Sequence, residues 1–151
     1  MQNKQTEKQI DPDKLVISSN LAELPRVEKF SQKIARKAAL NEDQSDNIAI
    51  AITELVNNAI KHGNQNDPTK SVTILAEYRG DRVSITIKDQ GSSFDPNSLQ
   101  NPTEPENLWK ENGRGIFIVK NLVDEVIFNP TDQGMEITIV EYLKSGRRNQ
   151  I

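Results

Sequence analysis

The sequence predicts an α+β fold, a two-layer α/β sandwich in which a mixed or antiparallel sheet carries helices on one face. Three observations predict it. Apolar residues recur at helical spacing before residue 63, the spacing switches to two after residue 70, and several of the strand-like runs are joined by short turns rather than by helices. Short turns join antiparallel neighbours, so a fully parallel sheet is not expected.

Residues 1 to 13 are polar, carry Pro12 and show no periodicity, and they read as a mobile leader. Lys14 to Ser18 is a short strand. Ser19 or Asn20 can cap a helix whose apolar positions Leu24, Val27, Phe30, Ile34, Ala35 and Ala38 fall on one face, and this helix ends near Leu40. Asn41 to Asp46 supplies further capping residues for a second helix with the cleanest stripe in the chain: Ile48, Ala51, Ile52, Leu55, Val56, Ala59, Ile60. Gly63 is expected to stop it as a C-terminal glycine. Val72, Ile74 and Ala76, a turn at Arg79-Gly80-Asp81, then Val83, Ile85 and Ile87 make an antiparallel hairpin. From Gln90 to Asn112 the chain holds Gly91, Pro96, Pro102 and Pro105 and few apolar residues, the pattern of a long irregular loop. Gly113-Arg114-Gly115 opens a third helix with Ile116, Val119, Leu122 and Val123 on one side. A last hairpin runs through Val126 to Phe128, a turn at Thr131 to Gly134, and Ile137 to Val140. Residues 145 to 151 form a polar, basic tail, which leaves one domain over residues 14 to 144.

Composition narrows the function. A chain of 151 residues with 34% hydrophobic and 27% charged residues has the size and balance of one globular domain. A net charge of -3 offers no positive field for a nucleic-acid backbone or an anionic membrane, so neither is an expected partner. With no cysteine and one histidine there is no disulfide framework, no thiolate metal site and no histidine metal cluster. No run approaches the roughly 20 apolar residues of a membrane span, and the first residues do not resemble a signal peptide; a cytoplasmic location is the economical expectation.

The second helix carries the most chemistry. Away from its apolar stripe it shows Glu54, Asn57, Asn58, Lys61 and His62 where ordinary solubilising residues would suffice. Asparagine competes for backbone hydrogen bonds inside helices, and two in succession cost about a kcal/mol against alanine, so something should compensate. Glu54 and Asn58 are four apart and therefore neighbours on one face. The amide oxygen of Asn58 is a hard neutral ligand suited to Mg²⁺, and the Glu54 carboxylate could take a proton from an attacking hydroxyl. For this helix alone, a solvated face is an equal reading. Asp89 and Gly91 end a strand in Lys88-Asp89-Gln90-Gly91; alone they are a turn, whereas together they could read an exocyclic amine and admit a flat base against the backbone. Gly113-Arg114-Gly115 could cradle phosphate at a helix N-terminus or merely set the entry of that helix, and Arg114 could touch phosphate or be a surface charge.

In order, the chain presents E-L-V-N-N-A-I-K-H-G-N on a helix, a strand ending D-Q-G, a proline-rich loop and G-R-G opening a helix. Taken jointly, these resemble the N box and the two glycine boxes of the GHKL family of ATPases, and within it the stand-alone anti-sigma-factor serine kinases. The resemblance covers roughly Leu15 to Tyr142. It implies a Bergerat-type fold with ATP held under the loop between Asp89 and Gly113, Glu54 as general base, Asn58 as Mg²⁺ ligand, Asp89 as adenine reader and the Gly113 turn as phosphate cradle. Asn57, His62, Gly91, Arg114 and Gly115 fall within the matching motifs. One departure is Ile116-Phe117 after Gly115, where many members have another glycine, which implies a different closure of the loop over the terminal phosphate.

Two functions follow. The first is a serine kinase that phosphorylates an anti-anti-sigma (STAS) protein and otherwise sequesters a sigma factor; the second is a non-catalytic, nucleotide-dependent binding module that regulates a protein partner. Glu54 favours the first. The resemblance also implies a homodimer. A sensor histidine kinase is a poor fit, because the one histidine, His62, lies inside the N-box motif.

Overall fold

In the computed structural model, which describes residues 10–91 and 113–144, five strands form one sheet in the order β1-β2-β3-β5-β4. The strands are β1 (Asp13–Ser18), β2 (Ser71–Tyr78), β3 (Arg82–Lys88), β4 (Glu125–Thr131) and β5 (Gly134–Tyr142). Every pairing is antiparallel, which settles the choice between a mixed and an antiparallel sheet. The two-residue periodicity is the cause of the layering. Ile17 pairs Val72, Ile74 pairs Ile87, Ile85 pairs Ile139, and all of these are buried, so one face of the sheet is a continuous apolar floor.

The helices supply the second layer. A single 3₁₀ turn (Leu21–Glu23), capped by Asn20 whose Oδ1 accepts from Ala22 N–H at 2.9 Å, leads into α1 (Leu24–Lys37). Val27, Phe30, Ile34, Ala35 and Ala38 of the predicted stripe are buried. At the end of α1, Leu40 N–H reaches the Ala35 carbonyl at 3.0 Å and Ala39 N–H the Arg36 carbonyl at 3.1 Å, a Schellman closure with Ala39 at φ 58 where glycine is usual. Helix α2 (Glu42–Asn58) starts on a capping box: Asn41 Oδ1 accepts from Gln44 N–H at 2.8 Å, and Gln44 Oε1 accepts from Asn41 N–H at 3.4 Å. Its predicted stripe from Ile48 to Ile60 is buried throughout. Helix α3 (Gly113–Leu122) adds Ile116 and Val119 to the same core.

The helical run does end at Gly63, but not through the left-handed glycine that usually ends a helix. After Asn58 the helix widens into one π turn (Ala59–Gly63), closed by Asn64 N–H on the Ala59 carbonyl at 2.8 Å, and Gly63 has no left-handed φ. The left-handed residues are Gln65 (φ 54) and Asn66 (φ 59), with Asn66 N–H returning to the Ile60 carbonyl at 2.8 Å. π turns inside helices often mark functional positions. The leader expected over 1–13 is cut back at its end, where Asp13 already pairs in β1, and its residues 1–9, the tail over 145–151 and residues 92–112 of the expected loop lie outside the described residues. Among those described, no helix is long and apolar enough to cross a membrane.

Candidate functional site

Glu54 and Asn58 stand one turn apart on α2, both half-buried, facing the start of α3. Gly113, Arg114 and Gly115 form the first turn of α3 rather than a loop ahead of it. A Cβ on Gly115 would lie 2.6 Å from Glu54 Oε1 and 3.6 Å from Asn58 Nδ2, so α3 rests directly on this pair and a larger residue there would displace the carboxylate. Asn58 Nδ2 is buried and has no hydrogen-bond partner among the described residues. Leaving such an atom unsatisfied costs about 1–3 kcal/mol, a deficit that a bound group would remove. Because the two ends of an amide exchange by a half-rotation, the same position can present the carbonyl oxygen beside Glu54.

The second half of the site lies at the end of β3. Asp89 extends the ladder, its N–H bonding the Met135 carbonyl at 3.1 Å. Its carboxylate Oδ1 accepts two backbone N–H groups, from Gly91 and from Met135, each at 3.0 Å. Oδ2 is packed against Gly63, where any Cβ would collide with it. Three glycines wall this carboxylate. Gly134, at φ 142, leaves no room for a Cβ against the Asp89 carbonyl and Oδ1, and a Cβ on Gly91 would strike the Gly63 carbonyl. Burial raises the Asp89 pKa, and donation from the Met135 and Gly91 N–H groups opposes the shift without cancelling it.

Both halves hang on one helix. Glu54 and Gly63 are nine residues apart along α2 and its π turn, an axial separation of roughly 13 Å at 1.5 Å per residue. That is the scale of a nucleoside triphosphate from base to terminal phosphate. Asn57 is half-buried, three residues from Glu54; His62 is exposed, four residues beyond Asn58. The sequence reading missed two neighbours of Asp89, Gly134, read only as a turn glycine, and Met135, whose contribution is a main-chain N–H, and it gave no role to Asn64, the last residue of the matching motif, whose Oδ1 accepts Gln90 N–H at 2.7 Å. A backbone donor leaves no sequence signal, whereas a glycine opening a strand is one.

Comparison with known proteins identifies the family and the fold. A family model described as the histidine kinase-like ATPase domain matches residues 17–140. Serine-protein kinase RsbW of Staphylococcus epidermidis is 31% identical over 115 residues, covering 72% of this chain and 72% of that protein. The serine-protein kinase RsbW of Bacillus licheniformis is 31% identical over 120 residues, covering 76% of this chain and 74% of that one. Among solved structures, the RsbU and RsbW domains of a Mycobacterium tuberculosis protein superpose with a TM-score of 0.64 at 18% identity, over 87% of this chain and 32% of that chain. A blue-light activated histidine kinase of Erythrobacter litoralis gives 0.57 at 17% identity, over 83% of this chain and 42% of the other. This chain thus spans less than half of either solved chain, and at such identities both show the fold alone.

Proposed function

The chain belongs to the histidine kinase-like ATPase domain family, and from that premise we propose that it is a Mg-ATP-dependent serine kinase of the anti-sigma-factor type, acting on a protein substrate in a partner-switching system. The observation that carries the reading is the meeting of Asn58 Nδ2, buried and without a hydrogen-bond partner among the described residues, with the Glu54 carboxylate beneath Gly115. A buried orphan N–H donor beside a carboxylate is poor packing for a structural core but suits a phosphate or water oxygen, and the carbonyl end of the same amide is the hard ligand that a hydrated Mg²⁺ takes.

The residues fit the group. Mg-ATP, when bound, supplies the terminal phosphoryl group and the charge that neutralises it. Asn58 would hold the metal through its amide oxygen, and the N-terminal N–H groups of α3, with Gly113 and Gly115 removing side-chain obstruction, would face the phosphates with Arg114 beside them. Asp89 would accept from the exocyclic amine of adenine through Oδ2, since Oδ1 is already held by Gly91 and Met135. Gly91 would let the base approach the main chain. Glu54 would take the proton of the substrate serine hydroxyl as it attacks. Asn57 and His62 flank this row and are assigned to nucleotide binding through the motif they share with it.

The substrate we propose is an anti-anti-sigma (STAS) protein and the sequestered partner a sigma factor, supported by the likeness to RsbW kinases. The working unit is a cytoplasmic homodimer. Glu54→Gln preserves shape and hydrogen bonding but cannot take a proton, so nucleotide affinity should hold while phosphoryl transfer from labelled ATP to a candidate STAS protein falls by about 10²–10⁴-fold. Transfer at the wild-type rate by that variant would overturn the base assignment. A wild-type protein that binds Mg-ATP but phosphorylates no candidate would leave the nucleotide-dependent binding module as the function.

A further inference from the structure

The base-reading carboxylate is gripped from two sides, and only one of them is β5. Toward the helices, the chain immediately after Asp89 is held by Asn64, which is 0% exposed and uses its whole amide. Oδ1 accepts Gln90 N–H at 2.7 Å; Nδ2 donates to Ser19 Oγ at 2.8 Å and to the Ser71 carbonyl at 3.0 Å. The ring then closes on itself. Gln90 Oε1 accepts Ser71 N–H at 2.6 Å and Ser71 Oγ at 3.2 Å, while Ser19 Oγ donates to the Lys70 carbonyl at 2.8 Å. One side chain at the end of the π turn therefore fixes the end of β1, the start of β2 and the Gln90 main chain together.

From this network we infer that Asn64 is the positioning residue for Asp89, setting how sharply the site tells adenine from a base that carries oxygen in place of the exocyclic amine. The inference rests on the proposed reading of Asp89. The geometry is what selects Asn64. Asp89 and Gly91 already share a bond through Oδ1, so a shift of Gln90 moves both ends of that turn, and with them Oδ2 and the Gly91 surface on which a base would lie. Gly63, against which Oδ2 rests, is the residue immediately before Asn64, so the same side chain registers the helix end to the strand end. An amide is needed in full: two donors and one acceptor are in use, and neither aspartate nor serine supplies that set.

The test compares Mg-ADP with Mg-IDP, which differs in replacing the adenine amine by a carbonyl, using calorimetry on the full chain. Wild type should prefer ADP. Asn64→Ala should weaken ADP binding about tenfold, the loss expected when a buried hydrogen-bonded anchor is removed, and leave IDP nearly unchanged, so that the preference narrows. Should Asn64→Ala fail to fold, Asn64→Ser, which retains one polar contact, should narrow the preference by a smaller factor while its thermal unfolding remains cooperative. Equal weakening of both nucleotides, or no weakening of either, would show Asn64 to be a structural clasp only and overturn the inference. A wild type that binds neither nucleotide would instead defeat the reading of the site itself.

Discussion

Replacing Gly63 by alanine sets two effects of opposite sign against each other, and the structure says which wins. Gly63 lies in a helical turn without a left-handed φ, so by helix propensity alone the change should stabilise the protein by about 0.8–1 kcal/mol. Its new Cβ, however, would stand 2.5 Å from Asp89 Cγ and 3.0 Å from Asp89 Cβ and overlap Oδ2 outright. The carboxylate can move only by giving up the Gly91 and Met135 N–H groups on Oδ1, each worth about 1.5–3 kcal/mol as a hydrogen bond to a charged group. Even if half of that is recovered by relaxation, the sum is a net loss of roughly 0.5–2 kcal/mol, together with a fall in Mg-ADP affinity of about tenfold or more. Urea unfolding gives the first quantity and calorimetry the second. A Gly63→Ala protein that is more stable than wild type and binds ADP normally would refute the argument, because it would mean that Gly63 is an ordinary helix glycine.

Asn58→Ala should lower nucleotide affinity roughly tenfold in Mg²⁺ and much less in a chelator, measured by titration under both conditions; equal losses would remove the metal from its role. Ala39→Gly should stabilise the fold by about 0.5–1 kcal/mol, since a left-handed alanine costs about 1–2 kcal/mol and the added freedom of glycine in the unfolded chain returns part of it; unchanged denaturation midpoints would contradict this. Burial raises the Glu141 pKa, reinforced by Asp124 and opposed by the Gln44 amide at 2.8 Å and by Lys144. A raised folded-state value means that stability is fully present below the ordinary glutamate range and is lost as pH rises through the folded value. Glu141→Gln should therefore flatten the stability profile and gain most above that window, and parallel profiles for the two proteins would refute it.

The strands and helix faces were legible because their signal is periodic and their cause is burial. Val72, Ile74 and Ala76 alternate, and so do Val83, Ile85 and Ile87; the floor they form needs no information beyond that alternation. Glu54, Asn58, Asp89 and Gly115 stood out as candidates for a different reason: each alone has an ordinary reading as solvated face, turn or helix entry, and only their joint order along the chain matches the N box and glycine boxes. What escaped depended on contacts between distant segments. Gly63 was read as a helix stop because a glycine after an apolar stripe usually is one, yet its lack of a side chain answers to Asp89, 26 residues later. Gly134 answers to the same carboxylate from the opposite side, and in the sequence it is only the end of a hairpin turn. Asn64 looks like a loop residue until the fold surrounds it.

These misses share one physical origin, which bears on how the site works. A carboxylate that must point a single oxygen at a ligand has to be prevented from rotating, and polar side chains alone do that poorly because they move with it. Here the constraint is made of main chain: two N–H groups fix Oδ1, and the backbones at Gly63, Gly91 and Gly134 close in where side chains would otherwise keep the segments apart. Such a cradle is rigid because it belongs to a helix end and to β5, elements that are themselves buried in the core. The end proposed for the phosphates has the opposite character. Glu54 and Asn58 are restrained by α2 but face the first turn of α3, and Asn58 Nδ2 has no hydrogen-bond partner among the described residues. On the proposed reading, the base end is thus organised before a ligand arrives, while the phosphate end contains a polar deficit for the ligand to fill. Binding energy should accordingly divide unequally: substitutions around Asp89 should act alike on ADP and ATP, and substitutions at Asn58 and Gly115 should separate the two nucleotides.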